Sequence, residues 1–487
     1  MSGENGSTIP RALGSSVAVL VVLMGLWSPP VAPAVPGTPG PSVALFPTPG
    51  GGLPGHLPNE HIQHVITVMM ENHDYDNYFG TYCQVTGPYC SMTGNGIPAG
   101  TCVPYYPTDP SAGCVVPYNL TPAQFFVNDM GHDWGTGRIA YDNGAMDGFY
   151  DAEGTTIAFG HYNQTTIPIY WDMAEEYGLA DNFWGGNLSY SLPNHWYLVS
   201  GATPEYAYDN YLGEDGVQSV YLDEANSTRT IQDLLVNHSY SWKYYDTPLL
   251  PYGQAIDGGF WGSAYDFWNP MAARAETYTA QFDRHFVPRS DFLSDINDSK
   301  LPNVSWVIPD FAYSDHPDSN NSYGEAWVAE LVNAVEASPY WNSTVIFITW
   351  DDYGGWYDHV PPSTVLGDLL SFRMPLLVIS PYAKEGFIDH SPMDFMSLLR
   401  FVEWQFSLGC LRPLDCFAPL PLGMFDFNQP PRAPILFGTQ WDTTHYPIPL
   451  QQPGVAERTC TDCQAIDPAA WSGSFSPPPG SVGVDWS

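Results

Sequence analysis

The sequence predicts an α/β fold in which helices cover both faces of a mainly parallel sheet. Two continuous apolar runs, residues 65–70 (VITVMM) and 345–350 (VIFITW), have the length and β-branched content of strands buried on both faces. Residues 325–335 carry apolar side chains at the spacing of one helical face, and Ser338 and Pro339 end that helix before the second strand. Strands that alternate with helices indicate parallel βα units.

Each predicted strand is followed directly by a pair of oxygen-bearing side chains. Glu71 and Asn72 follow the first strand, and Asp351 and Asp352 follow the second. Open α/β sheets bind ligands at the carboxyl ends of such strands, where three carboxylates would repel one another without a cation. Oxygen ligands suit a hard ion, so these residues predict one divalent metal ion of the Mg, Ca or Mn class. The alternative is that they only cap strand ends and form turns.

The remainder of the body is predicted to contain a further helix and two insertions. Ser391 as N-cap and Pro392 at the first helical position predict a helix that ends near Phe406. Residues 81–118 and 205–290 are rich in glycine and aromatic residues without a clear period. We therefore expect both segments to be insertions over the sheet edge that carries the polar pairs.

The two ends of the chain are predicted to lie outside this body. Residues 1–35 have the pattern of an export signal, with Arg11 before an apolar stretch at 17–27 that is short for a membrane span. A retained anchor is the alternative. A Pro/Gly-rich linker (36–57), a catalytic domain (58–450) and a Pro/Ser-rich tail (451–487) follow. No other stretch is apolar enough to span a membrane, so no stable span is expected after signal removal.

The eight cysteines fall into four sequence-local pairs, which in an exported chain predict disulfides. The pairs are Cys83 with Cys90, Cys102 with Cys114, Cys410 with Cys416, and Cys460 with Cys463. For the last pair, a zinc site or a redox role is the alternative. Recurrent Asn-x-Ser/Thr sequons add expected glycosylation. Together these features predict a secreted or cell-surface protein.

The charge balance results from a shortage of bases. The chain has 14 Lys+Arg against 52 Asp+Glu, which gives a formal net charge of −38. It therefore lacks the basic face that nucleic-acid binding needs, and it is not attracted to anionic lipid. Few bases also limit the positive charge that accumulates in acid. We therefore expect an acidophilic protein and, if it is an enzyme, an acid pH optimum.

Seven motifs in order resemble the bacterial and archaeal phosphoesterase family, which includes phosphatidylcholine-hydrolysing phospholipases C and related acid phosphatases. They are residues 71–80 (ENHDYDNYFG), 131–134 (GHDW), 146–149 (MDGF), 191–201 (SLPNHWYLVSG), 315–317 (DHP), 351–362 (DDYGGWYDHVPP) and 374–382 (MPLLVISPY). The resemblance implies an alkaline-phosphatase-like, three-layer α/β/α sandwich with a mainly parallel sheet.

The resemblance also implies roles for individual residues. Ser191 would be the nucleophile that forms a phosphoserine, with Ser189 as a nearby competitor. The other implied residues are catalytic His132, His316 and His359, substrate-binding Asn194 and His195, and the metal ligands Glu71, Asn72, Asp351 and Asp352. The phospholipase branch usually has Thr as nucleophile and Asp-Glu at the second metal pair. Ser191 and Asp352 therefore lean toward the acid-phosphatase branch, and monoester and phospholipid substrates both stay open.

The function predicted from the sequence is thus a secreted, metal-dependent phosphoesterase that acts on phosphate esters or phospholipids. One alternative is a two-metal nucleotide pyrophosphatase, phosphomutase or sulfatase, which would need additional metal-ligand pairs or a modifiable cysteine motif. Another is a non-catalytic glycosylated surface protein on the same fold, which loss of Ser191 or of a metal carboxylate would have favoured. The leaving group, the metal's identity and the oligomeric state do not follow from the sequence.

Overall fold

An eight-stranded sheet lies at the centre of the computed structural model, which describes residues 60–84, 92–204, 227–246, 268–273, 283–317, 319–365 and 368–438. Its strands are β1 (His64–Met70), β2 (Gly178–Ala180), β3 (Trp242–Asp246), β4 (Phe286–Pro288), β5 (Val304–Val307), β6 (Thr344–Trp350), β7 (Leu376–Ile379) and β8 (Phe387–Asp389). They lie in the order β8-β2-β7-β6-β1-β5-β3-β4. Only β7 runs antiparallel to its neighbours, so the predicted mainly parallel sheet is confirmed.

The two strands predicted most directly, β1 and β6, are adjacent at the centre of this sheet. They pair in parallel from His64 opposite Thr344 to Met70 opposite Trp350, and every residue of both strands is buried. The shared register brings the residues that follow them to the same edge. The Asp351 amide continues the pairing by donating to the Met70 carbonyl at 2.9 Å.

Helices cover both faces of the sheet. The described residues form α1 (Tyr75–Phe79), α2 (Trp134–Tyr141), α3 (Phe149–Glu153), α4 (Pro168–Glu176), α5 (Ser191–Ser200), α6 (Ile231–Asn237), α7 (Asp291–Asn297), α8 (Asn321–Glu336) and α9 (Phe395–Gln405). The α8 helix begins after Asn320, whose side chain accepts a hydrogen bond from the Ser322 amide. It contains the periodic segment from which a helix was predicted.

Side-chain contacts assign the helices to layers. Helices α5, α6 and α9 share a small apolar cavity with Thr67 and Trp306, and Phe401 of α9 meets Phe347 of β6 at 5.1 Å between ring centroids. On the other face, Tyr170 of α4 meets Trp350 at 5.1 Å. Because successive strand side chains point to opposite faces, Phe347 and Trp350 mark different layers. The predicted three-layer α/β/α sandwich is confirmed.

Two expectations about local structure are wrong. The N-cap of helix α9 is Asp394, three residues beyond the expected Ser391, because residues Met393–Asp394 pair as a short strand with Phe183–Trp184 and keep this segment extended. The region 205–290 is not insertion throughout, since β3 within it belongs to the central sheet and pairs with β5. Trp242, Tyr244 and Tyr245 of β3 are all buried, so this strand lacks the alternation of apolar and polar residues that would have marked it in the sequence.

The disulfide predictions are confirmed where the structure describes both partners. Cys102 is bonded to Cys114, and Cys410 to Cys416. Cys83 is also disulfide-bonded, but its predicted partner Cys90 lies outside the described residues. The same holds for Cys460 and Cys463, the signal, the linker and the C-terminal tail. Across the ranges that the structure describes, no helix combines the length and apolar character that crossing a bilayer requires.

Candidate active site

The two polar pairs meet at the carboxyl ends of β1 and β6. Glu71, Asn72, Asp351 and Asp352 are all fully buried. The backbone N–H of Asn72 donates to Asp351 Oδ1 at 2.8 Å. Asn72 has a φ of 59°, a left-handed conformation that turns the chain sharply at the strand end. The close approach requires glycine at 354, because a Cβ there would overlap the Asn72 carbonyl.

Ser191 lies beside this carboxylate cluster as the first residue of α5. Its hydroxyl donates to Glu71 Oε2 at 2.9 Å and lies 3.5 Å from Asp352 Oδ2. The backbone amides of Ser191 and Leu192 begin this helix, and a helix gives its first amides no partner within its own backbone. A helix N-terminus favours an anion such as phosphate, so the position suits both a nucleophile and the group that it would attack.

Asn194 and His195 lie on the first turns of α5. Asn194 contacts the loop before Ser191, and His195 contacts Glu71. The Asn194 amide accepts from Asn187 N at 2.8 Å and donates to the carbonyls of Ser189 and Tyr190 at 3.1 Å, which fixes the loop before Ser191. His195 Nε2 lies 3.0 Å from Glu71 Oε1. Substrate contact by these two residues stays a prediction.

The donor set fits a divalent cation. Ligand atoms of Glu71, His195 and Asp351 lie within 4.8 Å of one another. Among the described residues, the buried oxygens Asn72 Oδ1 and Asp351 Oδ2 accept no hydrogen bond. A buried polar atom left unpaired is costly, and oxygens of this kind are the ligands that a hard cation prefers.

Electrostatics lead to the same inference. Burial, followed by the charge of Asp351, raises the pKa of Glu71 well above its ordinary range, and the same two causes raise that of Asp352. The three carboxylates therefore cannot all be ionised in this cluster without a compensating positive charge. Burial lowers the pKa of His195 to about 4, so its imidazole does not supply that charge at neutral pH.

His132 borders the cluster from the loop before α2. Its Nδ1 donates to the Met130 carbonyl at 2.7 Å, which leaves Nε2 facing Asp352 Oδ2 at 3.8 Å. Burial acts to lower the pKa of His132, but the charges of Asp352 and Asp129 outweigh it and raise the pKa to about 9. A protonated His132 is thus available to bind phosphoryl oxygens.

Asp129 is a site residue that the sequence did not predict. Its side chain is only 5% exposed, and Oδ1 lies 3.4 Å from Asn72 Nδ2 and 3.8 Å from His132 Nδ1. Its position three residues before a predicted catalytic histidine was the available signal. Asp129 also lines a groove of about 470 Å³ with Val127, Asn128, Met130, Gly131, Glu153, Thr155 and Ile157. This groove lies along the segment that leads to His132.

The remaining two predicted histidines lie in other surroundings. His359 Nδ1 is 2.6 Å from Asp76 Oδ2, in a second cluster that includes Asp358 and Arg373. His316 is half-buried against Phe311, and its Nδ1 donates to the Pro317 carbonyl at 2.8 Å. The structure therefore brings together Ser191, His132, His195 and the four polar strand-end residues. Catalytic roles for His316 and His359 stay predictions.

The site thus combines a hydroxyl at a helix N-terminus with a buried carboxylate cluster, on the strand-end edge of an α/β/α sandwich. Comparison with known proteins specifies the class. Residues 62–409 match the model of the Phosphoesterase family, and the chain belongs to that family. It is a phosphoric ester hydrolase.

Individual relatives agree with this assignment. Phospholipase C B of Mycobacterium tuberculosis (strain CDC 1551 / Oshkosh) is 27% identical, over 74% of this chain and 75% of that protein. Non-hemolytic phospholipase C of Burkholderia pseudomallei (strain K96243) is 26% identical, over 71% of this chain and 55% of that protein. A solved structure of an alkaline phosphatase superfamily protein from Vibrio parahaemolyticus overlaps 52% of this chain and 64% of its own, at 14% identity and a TM-score of 0.33. With that low score, our fold assignment rests on the strand order and layers alone.

Proposed function

We propose that this chain is an exported, metal-dependent phosphoesterase that cleaves phosphate esters through a phosphoserine at Ser191. The observation that carries the proposal is the position of the Ser191 hydroxyl, 2.9 Å from Glu71 Oε2 and 3.5 Å from Asp352 Oδ2. A serine hydroxyl is a weak nucleophile at its ordinary pKa and needs a neighbour that accepts its proton or stabilises its alkoxide. Glu71 Oε2 is placed to accept the proton, and a cation held by the cluster would stabilise the alkoxide.

In the proposed reaction, Ser191 Oγ attacks phosphorus and its proton passes to Glu71 Oε2. The bond from phosphorus to the leaving oxygen breaks, and that oxygen keeps the electron pair and takes up a proton. Water then attacks phosphorus and breaks the bond to Oγ, which regains a proton. His132 Nε2 and the first amides of α5 hold phosphoryl oxygens. Assignment of the leaving-group acid to His316 comes from the family resemblance.

Glu71, Asn72, Asp351 and Asp352 would hold the single hard divalent ion. When bound, such an ion supplies Lewis-acid stabilisation of negative charge on the phosphoryl oxygens. The unpaired Asn72 Oδ1 and the raised pKa of Glu71 support this assignment. The ion's identity within the Mg, Ca or Mn class is open.

The proposed substrates are phosphate esters of the phospholipase C or acid phosphatase type. The relatives named above are phospholipases C, which supports a phospholipid substrate for this chain. Ser191 and Asp352 stand where the phospholipase branch usually has Thr and Glu, and these two differences favour an acid phosphatase. The disulfides Cys102–Cys114 and Cys410–Cys416 support export, because such bonds persist in oxidising compartments.

The experiment compares Ser191→Ala with Ser189→Ala on p-nitrophenyl phosphate and on phosphatidylcholine. Ser189 is the matched control, because it is a buried serine of the same loop. We expect Ser191→Ala to reduce kcat by more than about 10³-fold and Ser189→Ala to retain activity. Acid-quenched wild-type enzyme should carry phosphate on the peptide that contains residue 191. Near-normal turnover by folded Ser191→Ala would refute the proposed nucleophile.

A further inference from the structure

A buried arginine joins helix α1, which follows β1, to the loop that follows β6. Arg373 is completely buried, and all five of its guanidinium N–H groups are used. Nε donates to Asp358 Oδ2 at 2.9 Å, while Nη2 donates to Asp358 Oδ1 at 2.8 Å and to Asp76 Oδ1 at 3.0 Å. Nη1 donates to the carbonyls of Asn95 and Asp181, each at 2.8 Å.

These contacts connect the segments that carry the proposed metal ligands. Asp76 lies four residues after Asn72, and Asp358 lies six residues after Asp352. The Arg373 carbonyl accepts from Tyr75 N at 2.8 Å, and its guanidinium lies 4.6 Å from the Tyr75 ring centroid. His359 extends the link, because its backbone amide and Nδ1 both bond to Asp76 Oδ2.

Asp76, Asp358 and His359 have ligand atoms close enough to suggest a second metal site. The guanidinium already occupies the position of a cation there, since it bonds to both carboxylates. A divalent ion would have to displace an arginine whose donors are all satisfied. The chemistry of this cluster therefore fits a fixed internal cation.

We propose that Arg373 is a positioning residue that fixes the Glu71–Asn72 and Asp351–Asp352 pairs relative to each other. The proposal rests on the metal site proposed above. Because the planar guanidinium bonds at once to α1 and to the loop after β6, its loss would let the two ligand pairs shift apart. Lysine would keep the charge but not the fork of donors. Loss of groups that orient metal ligands typically weakens metal affinity about 10- to 100-fold.

The test measures Mn²⁺ affinity by isothermal titration calorimetry for wild type, Arg373→Lys and Arg432→Lys. Arg432 is the matched control, since it also bonds to a backbone carbonyl and lies over a tyrosine ring, but belongs to another cluster. We expect the Mn²⁺ Kd to rise about 10- to 100-fold in Arg373→Lys and to change little in Arg432→Lys. Excess Mn²⁺ should restore much of kcat in Arg373→Lys, which a general loss of folding would not allow.

The outcomes separate this inference from the proposed function. If wild type binds no Mn²⁺, the proposed metal site fails. If wild type binds and folded Arg373→Lys binds within about twofold of it, the positioning role is refuted and the metal site stands. An equal loss in Arg432→Lys would also refute it. If Arg373→Lys does not fold, the same titration is made on Asp76→Asn. This substitution removes the charge of one carboxylate that Arg373 binds and keeps the shape of the side chain, and the same rise in Kd is expected.

Discussion

Two carboxylate clusters at the same sheet edge differ in how their charge is balanced. In the first, Glu71, Asp351 and Asp352 lie together, and burial with the charge of Asp351 raises the pKa of Glu71 well above its ordinary range. In the second, Asp76 and Asp358 share Arg373. Burial acts to raise the pKa of Asp76 as well, but Arg373 and then His359 outweigh it and lower that pKa.

The contrast indicates which cluster needs something from outside the chain. In the second, every oxygen of Asp76 and Asp358 accepts a hydrogen bond from Arg373, His359 or Val360, although burial still raises the pKa of Asp358. The first has buried oxygens that accept no hydrogen bond from the described residues, and Ser191 lies against it. Buried charges are tolerated when paired or bound to metal. His132 supplies one positive charge beside Asp352, and the charge that Glu71 and Asp351 still lack is assigned to the proposed ion.

The largest expected effect comes from removing one charge from each cluster in turn. Asp351→Asn should abolish metal binding and reduce kcat by more than about 10³-fold. Without metal, this variant should be at least as stable as wild type, because it relieves repulsion among buried carboxylates. Asp358→Asn should instead lower the free energy of unfolding by about 3–5 kcal/mol, because it leaves Arg373 with less compensation in the interior.

Urea unfolding of both variants, in buffer with a metal chelator, measures whether the two changes in the free energy of unfolding have opposite signs. Metal analysis measures the loss of binding in Asp351→Asn. The proposed difference between the two clusters is contradicted if Asp351→Asn destabilises the metal-free chain as much as Asp358→Asn does. It also fails if Asp358→Asn leaves stability unchanged.

A smaller effect on stability is expected from a third buried carboxyl, that of Asp315, which belongs to neither cluster. Asp315 accepts from Tyr170 Oη at 2.8 Å and from Trp350 Nε1 at 3.2 Å, and burial raises its pKa to about 7. The folded state therefore holds this proton more tightly than the unfolded state, whose carboxyl titrates near pH 4. This contribution to stability is complete below about pH 4 and is lost as pH rises toward 7, by up to about 4 kcal/mol.

Replacing the carboxyl should remove that dependence. We expect Asp315→Asn to flatten the fall in unfolding free energy between about pH 4 and pH 7, measured by urea unfolding across this range. An unchanged slope would mean that Asp315 does not take up its proton on folding. The predicted acid optimum of activity is a separate prediction, which a pH–rate profile of the purified enzyme would test.

The sequence predicted the features that depend on local pattern. Strands β1 and β6 were predicted to within one residue because their apolar runs are continuous, and the pairs that follow them meet as expected. The start of α9 was misplaced, because Ser391 and Pro392 give a valid local signal that strand pairing overrides. Arg373 was missed for another reason. Its partner Asp76 lies 297 residues away, and a lone arginine carries no pattern that indicates such a contact.

The most direct test of the account is a crystal structure of the active enzyme grown with Mn²⁺, with anomalous difference density measured at the manganese edge. We predict one ion per chain, bound by Glu71, Asn72, Asp351 and Asp352 beside Ser191, and no ion between Asp76 and Asp358. An ion that displaces Arg373 from Asp76 and Asp358, or active enzyme with no ion beside Ser191, would contradict the account.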